Sequence, residues 1–489
     1  MVASPPLPFL TSTQALSLLK EKTITVETYA KRLLERIEER DGIVKAWTYL
    51  GELLFLSAAT DLDVVQYPVF VLTQARALDK IPEEERGPLH GLAVGVKDVI
   101  NTKDMPTEYG SPVYKGHRPG SDSSAVAILR AAGALIFGKT TTTEFAVLNS
   151  GPNTTNPWDP NRTPGGSSCG SAAAVADFQV PLSLGAQTGG SLIRPAAYTG
   201  VFAMKPTHDA ISTEGQKVLA PTLDTFGFFA RSIEDLRLIA NIFGLKDDES
   251  PRDMPLKEIS VAIMKTPMWS EAGPGTVAAM EKAAAILREG GVEVTEVPFP
   301  DEISDADALK DIQKKIIRGE GQAAFLREYR VDKANLSPQV CRLVENHSNY
   351  TRKELAEASD TYSQMRRSMN KLAENYSVIL TPSAVDEAPL GLDDMGAATF
   401  NTLWTGFHMP VINIPAFVGA SEMPIGVSLV APRFRDQHLL QVSKAIGDRL
   451  MAEGGCKPRV YSSARVDEGG VISGIMHFGR RVMGWSEIR

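Results

Sequence analysis

Cysteine is scarce in this chain of 489 residues, which has only Cys169, Cys341 and Cys456. Their wide spacing indicates neither a disulfide framework nor a zinc site, and it favours a reducing compartment. No apolar run reaches the about 18 residues that a membrane-spanning helix needs, so we expect no membrane span. The first residues lack the basic and apolar regions of a signal peptide. These absences together predict a cytoplasmic protein.

Basic residues are also outnumbered, with 51 Lys and Arg against 59 Asp and Glu and a net charge of −8. This balance argues against a generally nucleic-acid-binding surface, so we predict no nucleic-acid partner. The seven histidines include no pair with HExxH-like spacing. Neither a metal nor another cofactor is therefore predicted. A hydrophobic content of 43% is that of an ordinary globular protein.

The most informative stretch is residues 164–207, PGGSSCGSAAAVADFQVPLSLGAQTGGSLIRPAAYTGVFAMKPT. It holds two Gly-Gly-Ser turns, 165–167 and 189–191, within a small and apolar segment. Serine normally lies at the surface, and glycine lets the backbone approach other groups closely. A serine after two glycines can present its hydroxyl beside free backbone N–H groups, as acyl transfer requires. Two ordinary Gly-Ser turns are the alternative explanation.

Lys97 follows a predicted buried strand, residues 92–96, and precedes Asp98. A lysine at the end of an apolar strand is costly unless its amine is paired or neutral. Burial lowers the pKa of a lysine, and the neutral amine can act as a base. The alternative is an amine that reaches towards solvent and pairs with Asp98 or another acid.

Residues 133–140, GALIFGKT, match the P-loop pattern G-x-x-x-x-G-K-T. A P-loop needs a strand before its first glycine and a helix after its Lys-Thr pair. Here a helix is predicted before the first glycine, and residues 134–137 are predicted to form a strand. The pattern therefore favours ordinary sheet structure, with a nucleotide-binding enzyme as an alternative.

The rest of the chain shows the apolar spacing of alternating helices and strands. No linker or repeat interrupts it, so we predict a single domain over 1–489 with a catalytic core at 85–245. The other predicted elements are two helices within 12–60, a loop at 221–231, a helix capped near Ser232, a βαβ unit (258–264, 275–289, 292–297), a mostly helical region at 301–377, a strand at 378–384, a hairpin at 410–430, a helix at 436–451 and a tail at 456–489.

The sequence resembles the amidase signature family. The resemblance lies in Lys97, in the two serine turns and in the 24-residue gap between Ser167 and Ser191. That family includes bacterial and fungal amidases, urethanases, fatty acid amide hydrolase and the A subunit of glutamyl-tRNA amidotransferase. The segments that carry the resemblance are PLHGLAVGVKD, AGALIFGKTTTTEFA, TPGGSSCGSAAAVA, TGGSLIRPAAYTG, KPTHD, DTFGFFARSIEDL and MPVINIPA.

The resemblance implies an α/β fold, with a large central mixed β-sheet covered by helices on both faces. It also implies a Ser–cisSer–Lys triad: Ser191 as the nucleophile, Ser167 as the bridging serine and Lys97 as the base. Such a triad hydrolyses an amide, or an ester or carbamate, through an acyl-enzyme. The implied oxyanion hole consists of the N–H groups of Thr188, Gly189, Gly190 and Ser191.

The residues expected to support this site depart from the family pattern. Gln187 replaces the usual acid before the nucleophile turn, and Arg194 falls one place later than the family's arginine. We expect Gln187 to hold the turn by neutral hydrogen bonds. Ser168 is a third supporting residue, and Cys169 beside it replaces a glycine. We expect a packed thiol at Cys169, with a second nucleophile as the alternative.

Three functions follow from these patterns. The leading one is a stand-alone amidase that acts on a small-molecule amide. A transamidase A subunit uses the same chemistry but needs an ammonia source and a tRNA-binding partner chain. A non-catalytic binding protein on the amidase fold is the third. We expect the helices at 301–377 to shape the acyl pocket, and the tail after Cys456 is a candidate contact for a homodimer.

Overall fold

The computed structural model describes residues 5–51 and 69–460. Part of the predicted 12–60 region and most of the predicted 456–489 tail lie outside these residues. The α-helices described are α1 (Ser12–Lys20), α2 (Val26–Val44), α3 (Val69–Asp79), α4 (Ser124–Ala131), α5 (Cys169–Ala176), α6 (Ile193–Thr199), α7 (Ile233–Ile242), α8 (Pro274–Glu289), α9 (Ala306–Ala324), α10 (Leu326–Asp332), α11 (Pro338–Val344), α12 (Arg352–Ala373), α13 (Thr399–Gly406) and α14 (Asp436–Gly454). The strands described are β1 (Trp47–Tyr49), β2 (Ala93–Lys97), β3 (Leu135–Thr140), β4 (Leu182–Gln187), β5 (Phe202–Lys205), β6 (Thr225–Ala230), β7 (Ser260–Ile263), β8 (Glu293–Glu296), β9 (Val378–Pro382), β10 (Val411–Val418) and β11 (Pro424–Val430).

These strands form one sheet in the order β1-β3-β2-β4-β6-β5-β10-β11-β9-β7-β8. Parallel pairing joins β2 to β3 and β4 near one end of the sheet, and β7 to β8 and β9 near the other. The strands between them, from β4 through β6, β5, β10 and β11 to β9, pair antiparallel. The predicted fold class, an α/β protein with a large mixed sheet, is confirmed.

The stretch 164–207 supplies the middle of this arrangement. It forms α5, β4, α6 and β5 in succession, and nearly all of its residues are buried. Small residues let α5 lie close to its neighbours: a Cβ on Gly170 would be 2.4 Å from the backbone nitrogen of Thr141. The first serine turn precedes α5 and the second follows β4. Because α5 packs against β4, the two turns lie on neighbouring elements.

Two sequence predictions in the second half of the chain are confirmed. The βαβ unit consists of the parallel neighbours β7 and β8 joined by α8, and the hairpin consists of β10 and β11. The predicted loop at 221–231 is wrong for residues 225–230, which form β6. All six residues of β6 are buried. A strand buried on both faces shows no polar alternation, which is why the sequence pattern did not reveal it.

The P-loop-like residues Gly138, Lys139 and Thr140 belong to the buried strand β3. The Lys139 amine lies 3.3 Å from the Asp98 carboxylate and donates to the Ile100 carbonyl at 2.8 Å. The amine is therefore committed to contacts inside the protein. A buried strand cannot serve as a phosphate-cradling loop, so the geometry argues against the nucleotide-binding alternative.

Two buried carboxylates hold the N-terminal helices against the rest of the molecule. Asp177, which follows α5, lies 3.3 Å from Arg36 and 3.1 Å from Arg40 of α2. Asp235, in the first turn of α7, accepts the N–H groups of Ser12 and Thr13 at 2.8 and 2.9 Å. The start of the chain is thus joined to segments far along the sequence.

Helices α9 to α12 lie within 301–377, and α9 packs against α13. The Arg366 side chain of α12 donates to the carbonyl of Gly406, the last residue of α13, at 2.7 Å. The role of this region in shaping an acyl pocket stays a prediction. None of the helices in the described ranges combines the length and the apolar character needed to cross a membrane.

Candidate active site

Lys97 is the last residue of β2 and is fully buried. Its amine donates a 2.7 Å hydrogen bond to the Ser167 hydroxyl. It does not pair with the adjacent Asp98, whose carboxylate instead faces Lys139. The sequence alternative of a Lys97–Asp98 pair is therefore wrong.

Burial lowers the pKa of the Lys97 amine to about 7. The neighbouring Arg194 charge lowers this pKa further, while Cys169 and Asp224 oppose the shift. The physical cause is desolvation, which disfavours the charged ammonium. Near neutral pH a substantial fraction of Lys97 is therefore a neutral amine that can accept a proton.

The first serine turn is enclosed by the protein. The peptide bond between Gly166 and Ser167 is cis, and Gly165 has a positive φ of 81°. Ser167 is only 1% exposed. The carbonyl of Ala186, in β4, accepts hydrogen bonds from the Lys97 amine at 3.4 Å and from the Ser168 hydroxyl at 3.3 Å. These bonds join the first turn and the lysine to the strand that leads into the second turn.

The second turn is partly open, and Ser191 is partly exposed. Within the ranges described, the N–H groups of Gly189, Gly190 and Ser191 donate to no protein group. Free N–H donors around an accessible hydroxyl are what a developing oxyanion needs. The Ser191 hydroxyl itself forms no hydrogen bond with any residue of the described ranges. Its expected contact with Ser167 is therefore absent from this structure.

Gln187 is the last residue of β4 and is buried. The side-chain oxygen of Gln187 accepts hydrogen bonds from the N–H groups of Leu192 and Ile193 at 2.8 and 3.0 Å. Its amide nitrogen donates to the Thr405 hydroxyl at 2.9 Å. The neutral side chain therefore spans the second turn, from the end of β4 to the start of α6.

Arg194 lies in α6 but contacts the first turn. One guanidinium nitrogen donates to the Gly166 carbonyl at 2.5 Å, and another donates to the Gly396 carbonyl in the segment before α13. The structure therefore separates the two supporting residues, with Gln187 at the second turn and Arg194 at the first.

Asp224 is a site residue that sequence reasoning missed. Its carboxylate accepts the Thr188 hydroxyl at 2.5 Å and the N–H groups of Leu219 and Ala220 at 2.7 and 3.0 Å. Burial raises the pKa of Asp224 to about 6. The available signal was an acid directly before the apolar run TFGFFA, which was expected to lie in a loop.

Helix α13 and the residues before it cover both turns and were also missed. A Cβ on Gly190 would lie 2.6 Å from the Asn401 side-chain oxygen and 2.9 Å from the Ala398 Cβ. A Cβ on Gly166 would clash with the Met395 sulfur at 1.9 Å. Gly166 and Gly190 must therefore be glycines, because α13 and the residues before it leave no room for a Cβ. Sequence reasoning missed this contact because no sequence motif connects segments more than 200 positions apart.

Cys169 is 2% exposed, and its thiol lies 3.4 Å from the Thr141 carbonyl and 3.6 Å from the Ser167 carbonyl. Burial raises the pKa of this thiol. A thiol that resists ionisation is a poor nucleophile. The contacts therefore favour packing over a second nucleophile.

No cluster of three or more His, Cys, Asp or Glu side chains with metal-binding geometry occurs in residues 5–51 and 69–460. The groups that converge on the two serine turns are an amine, a guanidinium, a carboxylate, hydroxyls, an amide and backbone N–H groups. Such a set is suited to proton transfer and oxyanion stabilisation at a serine.

Known proteins resemble the chain over most of its length. The family model described as Amidase matches residues 64–440. The A subunit of glutamyl-tRNA(Gln) amidotransferase from Chloroflexus aggregans is 29% identical, over 89% of this chain and 96% of the relative. Its counterpart from an Exiguobacterium species is 31% identical, over 90% and 97%. A solved amidase structure is 26% identical with a TM-score of 0.77, and the match covers 91% of this chain and 100% of that one.

These relatives overturn the prediction of no nucleic-acid partner, because two of them are named as A subunits of glutamyl-tRNA(Gln) amidotransferase. The prediction rested on the net charge of −8. Net charge describes the surface of one chain, whereas one member of a complex can act on RNA that another chain holds. The same relatives favour the A-subunit alternative over a stand-alone amidase.

The sequence segments that suggested a family are distributed along the chain, and the family model covers the same span. The sheet that joins those segments has the fold of a solved amidase. The predicted family and enzyme class are therefore confirmed, and the chain belongs to the amidase family, whose members hydrolyse the carbon–nitrogen bonds of amides.

Proposed function

We propose that the chain cleaves a carboxamide by attack of Ser191, with Lys97 and Ser167 as the proton relay. The observation that carries this proposal is the 2.7 Å hydrogen bond between the buried Lys97 amine and the Ser167 hydroxyl. With a pKa of about 7, Lys97 is present both as ammonium and as free amine near neutral pH. A group with this pKa is matched to proton transfer in either direction.

The proton balance follows from these positions. Neutral Lys97 takes the Ser167 proton while Ser167 takes the Ser191 proton, and the Ser191 oxygen forms a bond to the substrate carbonyl carbon. The relay returns the proton to the leaving nitrogen as the carbon–nitrogen bond breaks. Water then cleaves the acyl-enzyme with the same groups as base and acid. The Ser191–Ser167 contact is expected to form on substrate binding, when catalytic hydrogen bonds commonly tighten.

We propose the N–H groups of residues 188–191 as the oxyanion hole. The free N–H groups of Gly189, Gly190 and Ser191 support this assignment. A buried carboxylate behind the turn, Asp224, fixes the hydroxyl of Thr188. The N–H groups of Leu219 and Ala220 also donate to this carboxylate, so its charge is satisfied by fixed donors.

The relatives favour an A-subunit setting for this chemistry. In that setting, the ammonia released at Ser191 passes to an acceptor that a partner chain holds. Subunits named for glutamyl-tRNA(Gln) amidotransferase align with nearly the whole of this chain and with nearly their own full length. A cytoplasmic location, predicted from the few cysteines and from the lack of a signal-peptide pattern and of a long apolar run, belongs to this proposal.

A stand-alone amidase is the second candidate. The solved amidase, 26% identical and matched over its entire length, supports it. In this setting the substrate is a small amide, and no second chain is needed for turnover.

The first experiment measures the intact mass of the chain after exposure to a fluorophosphonate. One adduct on the wild type that is lost in Ser191→Ala is expected. A folded wild type that gains no adduct contradicts the catalytic proposal and favours a binding protein.

The second experiment separates the two settings. Affinity-tagged chain is purified from its native host, its stoichiometric partners are identified, and ammonia release from glutamine, asparagine and simple primary amides is measured. Release that depends on partner subunits supports the A-subunit role. Turnover of simple amides by the isolated chain, without partners, supports the stand-alone amidase.

A further inference from the structure

We propose that Thr405 is a positioning residue, whose hydroxyl fixes the direction of the Gly189–Gly190 peptide in the oxyanion hole. The inference rests on the proposed function of Ser191. Thr405 lies in α13, more than 200 residues from the second turn in sequence, and it is fully buried.

Three groups surround the Thr405 hydroxyl. It lies 2.7 Å from the Gly189 carbonyl, 2.9 Å from the Gln187 amide nitrogen and 3.1 Å from the Asn401 carbonyl of its own helix. The first two belong to the strand end and the turn that lead into Ser191. A single hydroxyl therefore connects the support of the turn to the turn itself.

The direction of these hydrogen bonds follows from counting protons. Gln187 accepts two N–H groups with its oxygen, so its NH2 group must face Thr405 and must donate. A hydroxyl has one proton and can accept as well as donate. With its oxygen occupied as an acceptor, Thr405 gives its proton to a carbonyl, and the Gly189 carbonyl is the nearer of the two.

Peptide planarity converts this bond into an orientation. The carbonyl of Gly189 and the N–H of Gly190 belong to one peptide unit, and in a trans peptide they point in opposite directions. A carbonyl held towards α13 therefore turns the Gly190 N–H away from that helix. Two successive glycines have no side chain to restrict their backbone, so the bond from Thr405 adds a restraint that the glycines themselves lack.

The same argument explains why Gln187 and Thr405 belong together. A carboxylate at position 187 would accept hydrogen bonds but could donate none. The Thr405 proton would then be drawn to that carboxylate and away from the Gly189 carbonyl. The glutamine at this position leaves the proton available for the turn.

The test measures the rate of phosphonylation of Ser191 by a fluorophosphonate, whose phosphoryl oxygen occupies the oxyanion hole. Thr405→Val is expected to slow the reaction about 10- to 100-fold, because it misdirects one donor. Thr405→Ser retains the hydroxyl and is expected to remain within about threefold of the wild type. The ³¹P resonance of the adduct is expected to shift in Thr405→Val, since it reports hydrogen bonding to the phosphoryl oxygen.

Thr381→Val is the matched control. Thr381 is also fully buried, and its hydroxyl donates to the Met264 carbonyl at 3.1 Å in the sheet. This control removes a buried hydroxyl without touching the second turn. If Thr405→Val does not fold, Thr405→Ala is compared with Thr381→Ala in the same way.

A double variant tests the connection between the two residues. If the Gln187 amide acts through Thr405, adding Gln187→Ala to Thr405→Val causes less additional loss than Gln187→Ala causes alone. If the rate losses of the two single variants multiply in the double variant, this inference is overturned and the triad stays intact. The same holds if Thr405→Val and Thr381→Val react at equal rates. A folded wild type without any adduct overturns both the inference and the proposed function.

Discussion

The two serine turns have the same three residues, Gly-Gly-Ser, but opposite surroundings. In the first turn, Ser167 is enclosed and its hydroxyl faces a lysine. In the second turn, Ser191 is partly exposed beside free N–H groups. The identity of the tripeptide therefore does not determine its chemistry. Side chains from distant segments enclose one serine beside a lysine and leave the other hydroxyl accessible, which fits the proposed roles of proton carrier and nucleophile.

The first glycine serves a different purpose in each turn. A Cβ on Gly165 would lie 2.9 Å from the Pro195 Cα, so the first turn needs glycine in order to be buried. A Cβ on Gly189 would meet no atom closer than 3.6 Å. There the absent side chain leaves room beside the N–H donors. Close packing explains Gly165 and open space surrounds Gly189, whereas the second glycine of each turn, Gly166 or Gly190, packs against α13 and the residues before it.

Exchanging the serines for alanine gives the largest expected difference between the turns. Ser191→Ala is expected to lower amide hydrolysis by about 10⁴-fold or more, because the nucleophile is lost. Ser167→Ala is expected to lower it by roughly 10²- to 10⁴-fold, because only proton transfer is impaired. Fluorophosphonate labelling should be abolished in the first variant and slowed in the second. Retained labelling in Ser191→Ala would reverse the assigned roles.

The lysine that contacts Ser167 of the first turn is expected to make activity dependent on pH. Because the pKa of Lys97 is lowered to about 7, its ammonium form predominates below that pH and cannot accept a proton. We expect kcat/KM to rise about tenfold per pH unit below 7 and to level off above it. Lys97→Arg, which stays charged, should be inactive throughout. A profile that falls between pH 6 and 8 would contradict the neutral-base role.

Arg194 provides a test confined to the support of the first turn. Arg194→Lys retains the charge but cannot reach the Gly166 and Gly396 carbonyls together. A buried carbonyl without a donor is expected to lower the free energy of unfolding by about 1–3 kcal/mol. Urea denaturation measures this change. Gln187→Ala is the comparison at the second turn. An unchanged denaturation midpoint in Arg194→Lys would show that the guanidinium is dispensable at the first turn.

Gln187 provides the corresponding test at the second turn. Gln187→Ala leaves the N–H groups of Leu192 and Ile193 without their acceptor and frees Thr405. We expect turnover to fall roughly tenfold while the protein stays folded, because the oxyanion donors lose part of their alignment. Steady-state kinetics and circular dichroism check the two halves of this expectation. Unchanged turnover would rule out a supporting role for Gln187.

The smallest effect is expected at Cys169, whose thiol packs between Thr141 and the first turn. Cys169→Ala should change turnover by less than about threefold, since the buried thiol takes no part in proton transfer. Iodoacetamide should likewise leave the activity of the folded wild type intact. A loss comparable to that of Ser191→Ala would reinstate the thiol as a nucleophile.

The sequence was most informative where a local pattern carries the structure. Lys97 at the end of an apolar strand, the two serine turns and the βαβ unit around α8 are recognisable from neighbouring residues. Asp224 and Thr405 are not, because they reach the second turn from segments with no fixed spacing to it. The strand β6 escaped for another reason, since a fully buried strand shows no alternation. Tertiary contacts, which sequence spacing does not record, supply what was missed.

The anchoring of the N-terminal helices has a consequence for synthesis on the ribosome. Ser12 is bound by Asp235, which lies 223 residues later. At a translation rate of roughly 5–20 residues per second, the partner of α1 emerges on the order of 10 to 45 seconds after the helix itself. During that interval the apolar face of α1 lacks the surface of α7 that finally covers it. The nascent chain thus passes through a period in which a holding chaperone has a binding site that the finished protein lacks.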